Sequence, residues 1–302
     1  MFKISHLFMK TVVIGDNLAE KLAQLLNLEA ILIEERIFPD GELQPRLQKE
    51  KKAEQIILIF QKRTNENINS YLLKYFLLSR KAKDLAKKVI GIMPYLPYTR
   101  QDAVFQEGES LSALYVDELI EKNLDVFITC NLHEHRKRIK DLFKIPAHNL
   151  FLFKDLAEKF SDFDSKETVV IGPDREAKTF VDDFCLNFPS QKLVFLKQRD
   201  TKTGKITFSY PQEDLVGKEV IIVDDIVATG GTILEAAKIV HQLKAKTISF
   251  AFVHPIFGDQ SIESLKTIHP QKIITTNTIE NSKYELDIVE PLARFLKKIT
   301  QL

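Results

Sequence analysis

The sequence predicts an α/β protein of two similar domains, each a mainly parallel sheet flanked by helices. Three observations predict it. Short β-rich apolar runs alternate with longer segments of helical period along the whole chain. Runs such as VVIG, IILIF and VIIV are continuously apolar, as strands buried on both faces beneath helices require. A length of 302 residues is comfortable for two domains of roughly 150 each.

In the first half the runs predict strands over Thr11–Gly15, Ala30–Glu34, Gln55–Phe60, Lys88–Tyr95 and Asp125–Cys130. Helical period between them predicts helices near Asn17–Leu26, Asn67–Leu85 and Leu111–Glu121. The second half repeats the rhythm, with strands expected over Thr168–Gly172, Lys192–Lys197, Glu219–Asp225, Thr247–His254 and Lys272–Thr276. Helices are expected near Ala177–Asn187, Gly231–Leu243 and Val289–Ile299. The domain boundary is placed at 147/148, within Ile145–Leu150, where Pro146 interrupts the pattern and no strand is expected. The domains are thus 1–147 and 148–302, the last helix being free to pack back on the first.

Composition excludes several classes. Lys and Arg number 43 against 42 Asp and Glu, a balance that argues against a nucleic-acid partner. No apolar stretch reaches the roughly 20 residues that span a bilayer, so no membrane partner is expected. The N-terminal MFKISHLFMKTVVIG is interrupted by Lys10 and lacks a small-residue cleavage site, so it reads as a first strand and not a signal peptide. Cys130 and Cys185 lie in or beside apolar runs without a CxxC pair, as buried thiols of a reducing cytosol do. A cytoplasmic location follows as the expectation.

The most informative segment is Glu219-Val-Ile-Ile-Val-Asp-Asp-Ile-Val-Ala-Thr-Gly-Gly-Thr232. A buried strand ends in Asp224 and Asp225, and a small glycine-containing turn then opens a helix. Gly230 and Gly231 let the backbone approach a ligand and turn its N–H groups inward. The helix start adds a positive dipole end, so Ala228, Thr229, Gly230, Gly231 and Thr232 suit a phosphate. Two acids beside a phosphate need another purpose, and accepting hydrogen bonds from sugar hydroxyls supplies it. A ribose 5-phosphate has both features. The plain alternative is a strand–turn–helix junction with Asp as cap, which leaves the paired acids unexplained.

VIIVDDIVATGGT resembles the ribose-phosphate binding signature shared by type I phosphoribosyltransferases and ribose-phosphate pyrophosphokinases. Further segments, spread from Val13 to Thr278, are similar to the pyrophosphokinases, archaeal branch, specifically. The resemblance implies two type I phosphoribosyltransferase-like domains. Arg36-Ile-Phe-Pro-Asp-Gly-Glu42 resembles the family's adenine hairpin, so Phe38, Asp40, Gly41 and Glu42 are expected to bind ATP. In the family this hairpin often works across a subunit boundary, which implies a homo-oligomer. Met93-Pro-Tyr-Leu-Pro-Tyr-Thr-Arg-Gln-Asp102 is similar to the family's PYxPYxRQD, and it adds Arg100 and Gln101 to the ATP contacts. The family's magnesium-binding positions fall on His133 and Asp174, implying Mg²⁺ as cofactor. Lys197 and Arg199 match the basic pair of the family's catalytic loop.

The activity implied is transfer of a diphosphoryl group from ATP to ribose 5-phosphate, the two expected partners, giving 5-phosphoribosyl 1-pyrophosphate and AMP for nucleotide biosynthesis. Two alternatives stay open on the residues alone: a phosphoribosyltransferase, and a non-catalytic nucleotide-binding relative. Gly172-Pro-Asp-Arg-Glu-Ala-Lys-Thr179 falls one residue short of a Walker A loop, with Ala177 in place of its second glycine. Departures from the family occur at Ala103 and Val104, where basic residues are common, and at Asn131, where many relatives have Asp.

Overall fold

A computed structural model of the chain describes residues 11–104, 106–132, 138–199, 206–209, 215–227, 231–256, 265–280 and 284–300, with residues 197–199, 206–209, 227 and 232 described as backbone alone. They form two compact units. One runs to Leu150 and takes in the C-terminal helix Val289–Ile299; the other is Phe151–Ile288.

The first unit contains β1 (Thr11–Gly15), α1 (Asn17–Leu26), β2 (Glu29–Ile37), β3 (Leu43–Leu47), β4 (Ala53–Ile59), β5 (Lys62–Arg63), α2 (Ile68–Leu85), β6 (Ala86–Met93), α3 (Ser112–Glu121), β7 (Val126–Cys130), α4 (Ile139–Leu142) and β8 (Ala147–Leu150). Its sheet runs β3-β2-β1-β4-β6-β7-β8. Every neighbouring pair is parallel except β2 and β3. Parallel strands need crossovers, and the helices that supply them bury both faces. On one face Ile56, Leu58 and Phe60 meet Tyr71, Tyr75 and Leu78 of α2. Gly15 sits where β1 and β4 come closest. A Cβ there would lie 1.6 Å from the Ile59 carbonyl oxygen, so only glycine fits. Asp16 caps α1 by accepting the Leu18 N–H at 2.9 Å, and its second oxygen accepts the Gln61 N–H at 2.8 Å. The C-terminal helix buries Val289, Leu292, Ala293 and Leu296 and packs against α1.

A strand lies where Pro146 predicts none, and a second strand also accommodates a proline. β3 contains Pro45 and β8 follows Pro146, yet both are edge strands. An edge position does not need every N–H, and the Pro146 carbonyl still accepts the Phe127 N–H at 2.9 Å.

The second unit contains α5 (Phe153–Ala157), β9 (Thr168–Gly172), α6 (Lys178–Asn187), β10 (Gln191–Val194), β11 (Leu196–Arg199), β12 (Ile206–Ser209), β13 (Glu219–Val227), α7 (Gly231–Gln242), β14 (Thr247–Pro255) and β15 (Lys272–Thr275). The sheet β10-β9-β13-β14-β15 is parallel throughout. Stacked rings of Phe153 and Phe180 join α5 to α6, 4.9 Å apart. Ile233, Ala236, Ala237 and Val240 of α7 pack with Phe250 and Phe252 of β14.

The single strand expected over Lys192–Lys197 is two strands. Phe195 donates its N–H to the Gly172 carbonyl at 2.9 Å and buries its ring in the core. Beyond it the chain leaves the sheet, and β11 pairs antiparallel with β12, Lys197 opposite Phe208 and Arg199 opposite Ile206.

Candidate active site

Ligands of open α/β sheets bind outside the carboxyl ends of the strands. In the second unit that edge carries Asp174 after β9, Asp224 and Asp225 near the end of β13, and His254 near the end of β14. β9 and β13 are parallel neighbours with Ile171 opposite Ile222, so the residues that follow lie side by side.

Asp174 is extended, and its carboxylate accepts the N–H groups of Glu176 at 2.9 Å and Ala177 at 3.3 Å. It thereby caps the single 3₁₀ turn that leads into α6. Gly172 makes the tight turn possible, because a Cβ there would lie 2.9 Å from the Ala177 Cβ. Asp225 is buried, 4% exposed, while Asp224 is half-buried and accepts the Asp225 N–H at 3.0 Å. Consecutive strand residues face opposite ways, so the two acids straddle β13. The Asp224 carboxyl is held well above the usual carboxylate range. Loss of water is the largest cause, followed by the charges of Asp225 and Asp174. Three carboxylates thus share one field at the tips of two strands.

Gly231 opens α7 and is exposed, at the positive end of a 12-residue helix. Thr232 stands in its first turn, described as backbone. Ala228, Thr229, Gly230 and His133 lie outside the described residues. Positions 197 and 199 are two apart in β11 and so fall on one face of the β11–β12 ribbon.

Sequence reasoning places His254 only as the last residue of the strand expected over Thr247–His254. It is buried, and its Nδ1 lies 2.9 Å from the Thr278 hydroxyl. The hydroxyls of Thr276 and Thr278 donate to the Val253 carbonyl at 2.7 and 2.9 Å. The two threonines thereby tie the end of β14 and His254 to the segment that follows β15. The signal in the sequence was a histidine at a strand's carboxyl end followed, some twenty residues on, by the Thr-rich Thr275-Thr276-Asn277-Thr278.

In the first unit the expected ATP hairpin is a tight turn between β2 and β3. Phe38 donates its N–H to the Glu42 carbonyl at 2.8 Å, and Gly41 N–H bonds to the Phe38 carbonyl at 2.9 Å. Gly41 has φ +93°, which glycine adopts freely. Asp40 accepts the Glu42 N–H at 3.1 Å, leaving Asp40, Gly41 and Glu42 exposed at the tip. The Arg36 guanidinium covers one face of the Phe38 ring at 4.5 Å, so a base could stack only on the other. Arg100 and Gln101 are exposed in the loop after β6. Gln101 is tied by its N–H to the Tyr98 carbonyl at 2.9 Å and by its carbonyl to the Ala113 N–H at 3.3 Å. The Tyr98 hydroxyl donates to Asn69 at 2.6 Å, which holds the turn. Asn131 is buried at φ 40°, a conformation asparagine tolerates, and its N–H bonds to the Leu150 carbonyl at 2.9 Å.

Comparison with known proteins agrees with the two-domain α/β fold. The family model for the phosphoribosyl transferase domain matches residues 135–288, and that for the N-terminal domain of ribose phosphate pyrophosphokinase matches residues 11–123. A ribose-phosphate pyrophosphokinase of Saccharolobus solfataricus is 29% identical, with 86% of this chain and 89% of that protein aligned. Ribose-phosphate pyrophosphokinase 2 of Archaeoglobus fulgidus is 31% identical over 91% of this chain and 95% of its own. The crystal structure of phosphoribosylpyrophosphate synthetase from Mycobacterium smegmatis shares the fold, with TM-score 0.82 and 22% identity, over 96% of this chain and 98% of that one. The chain belongs to the ribose-phosphate pyrophosphokinase family.

Proposed function

We infer that the protein is a ribose-phosphate diphosphokinase, making 5-phosphoribosyl 1-pyrophosphate and AMP from ATP and ribose 5-phosphate. The observation that carries this reading is the placement of Asp224 and Asp225 near the carboxyl end of β13, the strand that precedes α7, as acceptors for sugar hydroxyls on the chain leading to a helix N-terminus suited to phosphate. A phosphoribosyltransferase would share that placement but leaves the match of residues 11–123 to the pyrophosphokinase N-terminal domain unexplained.

The ribose C1 hydroxyl attacks the β-phosphorus of ATP. A C1–O–P bond forms, the bond from the β-phosphorus to the α–β bridging oxygen breaks, and AMP leaves while the hydroxyl loses its proton. The protein's part is positioning and charge stabilisation. Ala228, Thr229, Gly230, Gly231 and Thr232 hold the 5-phosphate, and Asp224 and Asp225 hold the ribose hydroxyls. Phe38, Asp40, Gly41 and Glu42 take the adenine, whose exocyclic amine donates to the carboxylates. Arg100 and Gln101 contact the nucleotide, and Lys197 and Arg199 close over the transferring group.

Hard oxygen donors that repel one another fit a divalent cation, and the Asp224 carboxyl is raised first by loss of water and then by the charges of Asp225 and Asp174. Among the described residues no group of three or more His, Cys, Asp or Glu side chains is placed to hold a metal ion. Asp174 and His133 would hold Mg²⁺, whose chemistry when bound is to neutralise charge on the phosphate oxygens. A homo-oligomer is proposed on the hairpin's role in the family.

Incubating the purified protein with Mg-ATP and ribose 5-phosphate and separating the nucleotides tests the reading. AMP formed only when the sugar phosphate is present supports it; ADP would mark an ordinary kinase and refute it.

A further inference from the structure

The arm that carries the expected ATP hairpin is weakly supported by its own sheet. β2 pairs with β1 only through Glu29–Leu32, whereas Ile33–Ile37 pair with β3 alone. A two-stranded ribbon is marginal in water, so this one needs another anchor. The anchor is ionic and buried. Lys74, in the middle of α2, is 2% exposed. Its ammonium donates to Glu66 at 2.5 Å and to Glu35 at 3.3 Å, and lies 5.3 Å from the centre of the Phe60 ring. Glu66 also accepts the Arg63 N–H at 3.1 Å, and the Arg63 guanidinium pairs with Glu35.

Glu35 lies in the unsupported half of β2, three residues before Phe38. Lys74 therefore joins the base of the hairpin to the loop between β5 and α2 and to a helix packed on the core. Without the ammonium, two poorly hydrated carboxylates would face each other and the arm would be pushed outward.

We propose that Lys74 is a positioning residue for the nucleotide, holding the Phe38–Glu42 hairpin through Glu35 so that its acids meet the adenine amine. This rests on the reading of the hairpin as the ATP contact. Guanine presents a carbonyl where adenine has its amine, so a well-held pair of carboxylates also rejects GTP.

The test is steady-state kinetics of Lys74→Met and Lys74→Arg, with Mg-ATP binding measured separately by calorimetry. Lys74→Met is expected to raise the KM for ATP about tenfold, to leave the KM for ribose 5-phosphate within about twofold, and to narrow the preference for ATP over GTP. Lys74→Arg keeps the charge and is expected to restore most of the ATP affinity. If Lys74→Met does not fold, Glu35→Gln removes one link while Glu66 still pairs the lysine, and the same split is expected at about threefold. An unchanged ATP KM, or an equal rise for both substrates, overturns the proposal. Tight Mg-ATP binding by a wild-type protein that forms no AMP would sink the enzymatic reading alone, and calorimetry on the variants would still decide the role of Lys74.

Discussion

Asp174 and Asp224 stand at the tips of adjacent parallel strands, and the charge of the first helps hold the carboxyl of the second high, after loss of water and the charge of Asp225. Fifty residues separate them in sequence. The order of strands in the sheet alone makes them neighbours, and it places a repulsive acidic cluster where the proposed reaction would need a cation and a sugar.

The first prediction follows from that repulsion. A carboxyl whose folded pKa lies above its unfolded value stabilises the fold at low pH and loses that contribution as pH rises through the folded value. Asp224, half-buried beside two other acids, is therefore a burden on the ligand-free protein at neutral pH. Asp224→Asn is expected to melt at a higher temperature than the wild type at pH 7, with the gap closing below about pH 4, the unfolded carboxylate range. Turnover should fall at least about a hundredfold, since a sugar contact is lost. Calorimetric melting across pH checks the sign; a wild type more stable than the variant at neutral pH contradicts it.

Gly172→Ala probes how the Asp174 turn is built. The added methyl meets the Ala177 Cβ at 2.9 Å and the Val181 side chain at 3.2 Å. Overpacking of this kind costs about 1–3 kcal/mol. Denaturant unfolding should show a loss in that range, together with a weaker dependence of rate on Mg²⁺. A neutral effect on both would mean that the turn has room to spare.

Lys197→Ala separates chemistry from binding. The proposed role of Lys197 is toward charge developing on the transferring group, so both substrates should bind nearly as in the wild type. Turnover should drop by about two or more orders of magnitude, roughly the effect of one charge-stabilising donor. An unchanged turnover number removes Lys197 from the mechanism.

The two cysteines should be chemically silent in the native protein. Both are buried, and loss of water raises each thiol above its ordinary pKa. The thiolate is the reactive form, so a disulfide reagent should label neither quickly until denaturant is added. Rapid labelling of one equivalent without denaturant would show a thiolate that burial does not suppress.

Much of this arrangement is legible in the sequence. Continuous apolar runs ending in Gly15, Gly172 and Asp224 mark central parallel strands, because only strands covered on both sides are apolar at every position. β8 escapes because Pro146 is read as a breaker without regard to place, and edge strands tolerate proline. The split at Phe195 escapes because an apolar run carries no sign of which sheet its residues join. The Lys74 cluster escapes for a different reason. A lysine amid the apolar and polar residues of α2 reads as solvent-facing, and its partners Glu35 and Glu66 come from a strand and a loop that meet it only in the folded chain.

The central claim is that the β-phosphorus of ATP ends bonded to the anomeric oxygen of ribose 5-phosphate. Phosphorus NMR of the protein with Mg-ATP and ribose 5-phosphate follows that atom directly. The expected result is loss of the ATP signals in step with the rise of AMP and of a diphosphate attached at C1. Appearance of ADP with a sugar monophosphoryl product, or ATP left intact beside the sugar phosphate, would contradict it.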